Sequence, residues 1–352
     1  MSVDMFESRT MLEPLVTEWK AETPFLNLFF QDAQPHETEF VDIDIKVGSQ
    51  KLAPFVKPGS EGRVVARKGS KSVAYKAPII KPKRATEAET LLARALGAGI
   101  HDANSLMARA SETLGRDLAE MQDMIDRRKE WMAIRSIVDG SVTMKGYTDA
   151  GTTTEVVEDV IDFSQPAANN ITLTAGNKFG ETDVSIVQYF RDWKRLVLLA
   201  TGKRANVIVV GSAVADAMLA DAEVKALMDN RRLDLMNIDP DELGLGINVF
   251  GYIGGGVDAV VYEYVGQYVD EADAAQDFFP VDRVVMGATS ARCDTHYGAI
   301  MDLDAIENGM HIAKVFPKSW KTQDPSNRFV MLQSRPVPVP HEIGAFVSVK
   351  AL

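Results

Sequence analysis

The stretch from Asn104 to Val138, NSLMARASETLGRDLAEMQDMIDRRKEWMAIRSIV, contains no proline and repeats apolar side chains at three- and four-residue steps. This spacing predicts one amphipathic helix, with Asn104 or Ser105 as its N-cap and Gly140 just beyond its end. With a rise of about 1.5 Å per residue, the helix is roughly 50 Å long, well above the globular mean. Such a rod needs a sheet or a neighbouring subunit along its length to bury its apolar face.

The segment before this helix is extended and poor in apolar residues. Between Val41 and Val47 apolar side chains alternate with Asp42, Asp44 and Lys46, which is the pattern of a half-buried strand. A second strand is predicted around residues 72–80, after a region rich in proline and glycine. We therefore expect a two-stranded arm with a wide loop. Because an isolated two-stranded ribbon is only marginally stable, the arm and the long helix together indicate a protein that binds copies of itself.

The arm is basic although the chain as a whole carries a net charge of −12. Between Lys46 and Lys83, Glu61 is the one acidic residue. The basic residues between these two lysines are Lys51, Lys57, Arg63, Arg67, Lys68, Lys71, Lys76 and Lys81. The overall charge disfavours a nucleic-acid-binding protein, which needs a concentrated basic face. The arm is either a solvated loop kept soluble by its charge or a limb that lies across the acidic surface of an identical neighbour. We favour the second interpretation.

The composition is that of a soluble globular protein, with 352 residues, 46% hydrophobic and 25% charged. This length predicts two domains, because single cores stop growing at roughly 250–300 residues. Cys293 is the only cysteine, which excludes an intramolecular disulfide and fits a reducing, cytosolic origin. We recognise no export signal and no stretch long and apolar enough to span a membrane, so we expect no membrane partner.

The sequence contains no recognisable catalytic or metal-binding motif. Its five histidines lie far apart and form no metal-ligand spacing, and the pairs Asp42/Asp44, Asp239/Asp241 and Asp302/Asp304 lack the calcium-loop pattern. These carboxylates are predicted to be solvated surface. Cys293 lacks the local context of a nucleophile and is predicted to be packed. We expect no enzyme, no cofactor and no metal site.

Two further segments leave alternatives open. The run PFLNLFF, from Pro24 to Phe30, either anchors the core or docks its aromatic side chains on another subunit. From about residue 183 the chain has an α/β pattern, with a helix ending near Gly202, a buried strand at 205–211 and one helix over 212–229 capped by Ser212. The triplet Gly254–Gly256 is predicted to be a hairpin turn, because a strand follows it where a phosphate-binding loop needs a helix.

Several segments together carry a resemblance to a known family. They are PFLNLFF at 24–30, TEFVDIDI at 38–45, KAPIIKPKR at 76–84, VTMKG at 142–146, and above all YVGQYVDEADAAQDFFPVDRVVMGATSARCDTHYGAIMD at 264–302. In order and texture the chain resembles the major capsid proteins of lambda-type tailed bacteriophages over nearly its full length, most densely over 260–302. The resemblance implies an α+β fold, the tailed-phage major capsid fold of the Hong Kong 97 type.

That fold implies a division of the chain. Residues 1–35 would be an N-terminal arm, 36–90 an extended β loop that reaches over an adjacent subunit, and 91–185 a peripheral domain containing the long spine helix. Residues 186–285 would be an axial domain, and 286–352 would return to the sheet of the peripheral domain. The predicted contacts between subunits are made by Phe25, Leu28, Phe29, Phe30, Arg63, Arg67, Lys68, Lys71 and Lys76.

The resemblance also implies function and partners. The chain would assemble with itself, as pentamers and hexamers, into the icosahedral head of a virion formed in the bacterial host cytoplasm. A trimeric decoration protein would bind outside, a separate scaffold protein and a portal would act during assembly, and double-stranded DNA would be packaged inside without sequence specificity. The alternative from the residues alone is a cytosolic α/β enzyme or ligand-binding protein with a pocket near Gly254–Gly256, which would be a compact monomer or small oligomer and bind a small ligand.

Overall fold

The computed structural model describes residues 11, 23–46, 53, 55–57, 59, 61–62, 64, 70–87, 103–147, 155–182, 184–228, 246–270, 273–324 and 327–352. These residues form a mixed α and β fold. The described helices are α1 (Pro24–Phe29), α2 (Ala103–Val138), α3 (Ile186–Thr201), α4 (Ser212–Ala220), α5 (Ala222–Leu227) and α6 (Leu303–Glu307).

The described strands belong to six sheets. In the first half of the chain they are β1 (Gln31–Asp32), β2 (Phe40–Lys46), β3 (Ser70–Lys76), β4 (Lys83–Glu87), β5 (Ser141–Tyr147), β6 (Glu155–Asp162) and β7 (Asn170–Thr172). In the second half they are β8 (Val207–Gly211), β9 (Ile247–Ile253), β10 (Ala259–Tyr264), β11 (Gln267–Val269), β12 (Ala275–Asp277), β13 (Arg283–Gly287), β14 (Cys293–Tyr297), β15 (Phe316–Lys321), β16 (Asn327–Gln333), β17 (Pro336–Pro340) and β18 (Phe346–Lys350).

The long helix α2 confirms the helix predicted from the apolar spacing. It is 36 residues long and is followed by Gly140, whose φ of 68° lies in the left-handed region that favours glycine. The predicted N-caps are wrong, because Asn104 and Ser105 lie inside the helix. From Leu114 onward, sheets of the same chain bury its apolar side. Met121 and Ile125 pack with Val330 and Leu332 of β16, while the last turns enter the main core.

A six-stranded sheet in the order β7-β18-β13-β8-β10-β9 forms the largest layer. Its strand β8 is buried throughout, as the continuous apolar run predicts. Because side chains alternate along a strand, Val207 and Val209 pack with α1 and the end of α2, whereas Ile208 and Val210 pack with α3 on the other face. This sheet therefore has helices on both faces. It also contains β7 and β18, which lie outside the range predicted for the axial domain.

Of the other predictions for residues 186–264, two are confirmed and two are wrong. Helix α3 ends at Gly202, whose φ is 75°, and the Gly254–Gly256 turn joins the antiparallel strands β9 and β10, as predicted. The single helix predicted over 212–229 is wrong. Asp221 interrupts it, because its carboxylate accepts hydrogen bonds from the amides of Glu223 and Val224 and so caps a new helix. Ser212 is the first residue of α4, not its cap.

The extended segment forms the predicted antiparallel pair. Strand β2 pairs with β3, from Phe40 opposite Lys76 to Lys46 opposite Ser70. Beyond this ribbon, β4 pairs with β16 in the sheet that covers α2, so residues 83–87 are joined to the body of the subunit. The sequence does not predict β4, because residues 83–87 have no apolar alternation of their own.

The N-terminal run adopts the core-anchoring alternative. Helix α1 packs Phe25 and Phe29 edge to face, with ring centroids 5.1 Å apart, and Phe29 makes a similar contact with Phe346 of β18 at 5.2 Å. Strand β1 then pairs in parallel with β14. Residues 24–32 are therefore part of the subunit's own core and sheet.

A buried carboxylate joins α1, α2 and the six-stranded sheet. Glu130 of α2 accepts hydrogen bonds from the amides of Phe25 (2.7 Å) and Leu26 (3.0 Å), and from the Tyr264 hydroxyl (2.9 Å). Complete burial raises the pKa of Glu130 to about 7, although these hydrogen bonds oppose the shift. The carboxylate supplies acceptors to two amides that have no partner within α1.

We predict that Glu130→Gln destabilises the subunit by about 1–3 kcal/mol at pH 5, because the amide nitrogen cannot accept a hydrogen bond, whereas both oxygens of the protonated carboxyl group can. The pKa of Glu130 in the folded chain exceeds its ordinary value of 4.5, so its protonated form contributes stability that is present below pH 4.5 and lost as the pH rises through about 7. The gap between wild type and variant should therefore narrow from pH 5 to pH 8.

Denaturant unfolding of dissociated subunits at several pH values measures this gap. Glu112→Gln, at an exposed position of the same helix, is the matched control and should change the unfolding free energy by less than about 0.5 kcal/mol. A gap that widens as the pH rises would mean that the folded protein prefers the ionised carboxylate.

Candidate subunit interface

The loop between β2 and β3 exposes large apolar side chains. Phe55 and Val64 are almost completely exposed, and Val56 is half exposed. Isolated apolar residues are common on protein surfaces, but a phenylalanine without intrachain burial is unusual. It occurs here in a segment that is also strongly basic. A basic loop with an exposed aromatic ring is suited to a protein surface that is apolar locally and acidic around it.

The root of this ribbon is held rigidly by the subunit. Arg335 is buried, and its guanidinium donates to the carbonyl oxygens of Ala77 (3.2 Å) and Ala299 (2.9 Å). Its Nη2 atom also lies 3.4 Å from the Glu39 carboxylate. Val41 is fully buried in the cluster that includes Met132 of α2. The subunit therefore fixes where the ribbon leaves the body.

The structure separates the predicted interface residues into groups. Phe25, Phe29 and Phe30 are buried in the chain's own core and have almost no surface left for a neighbour, so their assignment as contact residues is corrected; Leu28 is half-buried. Lys76 is exposed and pairs with Glu39 at 3.4 Å. Lys71 lies in β3. Arg63, Arg67 and Lys68 lie outside the described residues.

A second exposed apolar surface surrounds the short helix α6. Met301, Leu303, Ile306 and Ile312 are 62%, 76%, 50% and 40% exposed, and we call this set the α6 patch. Ala305 on the opposite side of α6 is buried with Ile300 and Phe316. The helix is therefore anchored while its outer side chains face solvent. No local sequence signal indicates the α6 patch or Phe55, because the exposure of an apolar side chain depends on its neighbours in the folded structure.

The carboxylates beside the α6 patch have a structural role. Asp302 caps α6 by accepting from the Asp304 amide at 3.0 Å, and Lys318 pairs with both carboxylates, at 2.8 Å and 2.6 Å. The Lys318 ammonium holds the pKa of Asp302 below its usual value, although burial opposes the shift. Asp302 is thus largely enclosed in an ion pair, and the predicted solvated surface is wrong for this residue.

The Gly254–Gly256 turn has the contacts of a structural turn. Arg191 of α3 donates twice to the Gly255 carbonyl oxygen, and Lys194 donates to the carbonyl oxygens of Gly256 and Val257. The Gly254 amide donates to the carbonyl oxygen of Leu227 at 3.3 Å. The turn therefore directs its carbonyl oxygens at cations of the same chain, which is the opposite of an amide cradle for phosphate.

Cys293 is buried, as predicted, and burial raises the pKa of its thiol, which disfavours a nucleophilic thiolate. Among the described helices, none is both long and apolar enough to cross a membrane. The wide spacing of the histidines in the sequence predicted no cluster, but three of them are in contact in the structure. His36, His296 and His341 are brought into contact by β1, β14 and β17, beside Asp294.

Comparison with known proteins identifies the family of this chain. The family described as phage major capsid protein E matches residues 8–351. The chain belongs to the phage major capsid protein E family. It is 27% identical to the major capsid protein of Escherichia phage lambda, over 99% of both chains, and 26% identical to that of Enterobacteria phage P21, over 98% of this chain and 99% of the other.

Solved structures agree on the fold. A prophage capsid protein of Escherichia coli CFT073 aligns with a TM-score of 0.71 and 23% identity, covering 98% of this chain and 99% of that one. The capsid of Ralstonia phage GP4 aligns with a TM-score of 0.53 and 12% identity, covering 95% and 92%. The expected α+β capsid fold of the Hong Kong 97 type is confirmed. This member of the capsid family is a structural protein of the virion, and the alternative of an enzyme near Gly254–Gly256 has no support.

We predict that Phe55→Ser blocks assembly of this capsid protein without unfolding it. The ring is fully exposed within the subunit, so the free energy of unfolding should change by less than about 0.5 kcal/mol. If the ring is buried by a neighbour, its loss should cost about 2 kcal/mol at each contact. Phe55→Leu, which keeps an apolar side chain, is the matched control and should assemble. Normal shells from Phe55→Ser in sedimentation and electron microscopy would contradict the role of this ring.

Proposed function

We propose that copies of this chain form pentamers and hexamers that close into an icosahedral head, with the β2–β3 loop of each copy lying on its neighbour. The observation that carries this proposal is the loop itself, which is basic, exposes Phe55 and Val64, and leaves the subunit at a root fixed by Arg335. An acidic body supplies a surface of opposite charge on an identical copy.

The interface residues follow from this arrangement. Arg63, Arg67, Lys68, Lys71 and Lys76 would supply the positive charge of the loop, and Phe55 and Val64 its apolar contacts. The α6 patch would be covered by a further contact between subunits, since Leu303 and Met301 are too exposed to contribute much to the subunit's own core. Leu28 remains a candidate contact residue at the edge of α1.

We propose the division of the chain with two adjustments. The loop occupies the middle of 36–90, since 83–87 is joined to β16, and residues 24–32 belong to the body. The axial domain comprises 186–285 together with β7 and β18, which complete its sheet. The peripheral domain is then built around α2, with β4, β5, β6 and β14–β17 as its strands.

Further partners are proposed from the family resemblance. A trimeric decoration protein would bind the outer surface, a separate scaffold protein and a portal would act during assembly, and double-stranded DNA would fill the head. The net charge of −12 supports a DNA contact without tight binding, because a negatively charged inner surface repels phosphates.

We predict that the triple reversal Arg63→Glu, Arg67→Glu and Lys68→Glu prevents shell closure, because it turns charge attraction between loop and neighbour into repulsion. The matched control reverses three exposed cations outside the loop, Arg195, Lys225 and Lys321. Both variants change the net charge equally, so a general charge effect would appear in both. Far-UV circular dichroism should show folded subunits in each case.

Velocity sedimentation at several salt concentrations provides the readout. The wild-type chain should lose assembly as the salt concentration rises, since surface charges are screened. Loss of shells in the loop variant alone supports the proposal. Equal assembly of the loop variant and wild type would contradict a charged loop contact.

A further inference from the structure

Three histidines and an aspartate from three separate segments of the chain meet beside the β1–β14–β17 sheet. The Nε2 atoms of His296 and His341 are 3.0 Å apart, and His341 Nε2 lies 3.4 Å from Asp294 Oδ2. One ligand atom from each of the three residues lies within 4.8 Å of the other two. His36 Nε2 is 3.0 Å from His296 Nδ1, so it contacts the ring nitrogen that does not face His341.

The strand register explains why these side chains converge. Asp294 and His296 are two residues apart on β14 and therefore project from the same face. The antiparallel ladder pairs Cys293 with Pro340. Continuing that register by one residue places His341 opposite Arg292, on the same face as Asp294 and His296. The arrangement is thus set by backbone pairing and not by chance contacts of long side chains.

Two of the three separations between these atoms match the spacing of ligands around a tetrahedral cation, and the third, between Asp294 and His296, is within 4.8 Å. Bonds of about 2.0–2.1 Å in a tetrahedron place ligand atoms roughly 3.3 Å apart. The observed separations of 3.0 Å and 3.4 Å bracket this value. His296 and His341 are buried, and Asp294 is largely enclosed, so the atoms face each other in a site with little competing water.

We propose that Asp294, His296 and His341 form a binding site for a divalent transition-metal cation of the Zn²⁺ class, with His36 as the outer partner that orients His296. Two imidazoles and a carboxylate leave a fourth position for water or a group from another chain. Imidazole ligands favour Zn²⁺ over Mg²⁺ and Ca²⁺, which prefer oxygen.

Neighbouring groups affect this site in opposite ways. Arg292 Nε donates to Asp294 Oδ2 at 2.9 Å, and its positive charge disfavours a cation nearby. Its side chain is 59% exposed, so solvent weakens this repulsion. His36 favours the site, because its Nε2 atom lies 3.0 Å from His296 Nδ1 and can hold the His296 ring with Nε2 toward the other ligands.

A cation at this site would stabilise the attachment of the β2–β3 ribbon to the rest of the subunit. His36 lies four residues after β1, and its amide donates to the carbonyl oxygen of Tyr297 in β14 at 2.7 Å. A cation bound by Asp294 and His296 of β14 and by His341, just after β17, would therefore stabilise the sheet that holds the segment leading into β2. Its binding energy would add to the stability of the folded chain, because the three ligands do not converge in an unfolded chain.

Equilibrium dialysis of metal-stripped, full-length protein against Zn²⁺, with bound metal measured by mass spectrometry, tests the proposal. We expect the wild type to take up about one Zn²⁺ per chain and to show a higher Tm with Zn²⁺. His341→Gln should weaken binding tenfold or more and abolish the rise in Tm. His36→Gln should keep the stoichiometry and weaken affinity by roughly 10–100-fold.

His311→Gln removes a histidine outside this set and is the matched control, which should bind as the wild type does. Arg292→Gln removes a repelling charge and should bind at least as tightly. If His341→Gln does not fold, Asp294→Asn replaces it, since an amide keeps the shape of the side chain. No Zn²⁺ uptake by the wild type, or equal uptake by wild type and ligand variants, overturns the proposal.

Discussion

The structure depends on the burial of one helix that is too long to be buried by its neighbours in sequence. The middle of α2, from Leu114 to Ile125, is covered by β16, which comes from the end of the chain, while its C-terminal turns pack against α1 and the six-stranded sheet. Glu130 lies on the buried side and contacts α1 through Phe25 and Leu26 and the sheet through Tyr264. Contacts of high sequence separation therefore hold the subunit together.

In this organisation the body of the subunit buries its own core, and the loop exposes apolar side chains. The body completes its core within one chain, since the aromatic rings of α1 are buried against Phe346 and the last turns of α2. The exposed apolar side chains include Phe55 and Val64 of the loop and the α6 patch, together with others on the body such as Leu199 of α3 and Val269 of β11. A rigid body with apolar groups on extensions can fold before it assembles. Contacts between subunits then bury surface that the single chain cannot cover.

Local sequence signals predicted the elements that local chemistry determines. The helix α2 followed from uninterrupted apolar spacing and Gly140, and the β9–β10 hairpin followed from the glycines between two strands. Asp221 was missed because the apolar spacing continues through it, although an aspartate is a strong N-cap. The strand β4 was missed because its order comes from pairing with β16.

The candidate interface was less accessible to sequence reasoning. The charge of the loop is visible in the sequence, but the run at 24–30 allowed both burial and docking, and only tertiary packing decides between them. Exposure of Leu303 and Phe55 depends on which neighbours the fold supplies. His36, His296 and His341 show no motif, because the register of three strands brings them together.

The central claim is that a subunit with a self-contained core uses its extensions to join copies of itself. Velocity sedimentation of the purified wild-type chain, with negative-stain electron microscopy of the fastest fraction, tests this most directly. The account predicts closed shells, tubes or rings of many copies. A uniform species of one to four chains at high concentration, even with a scaffold protein supplied, would contradict it.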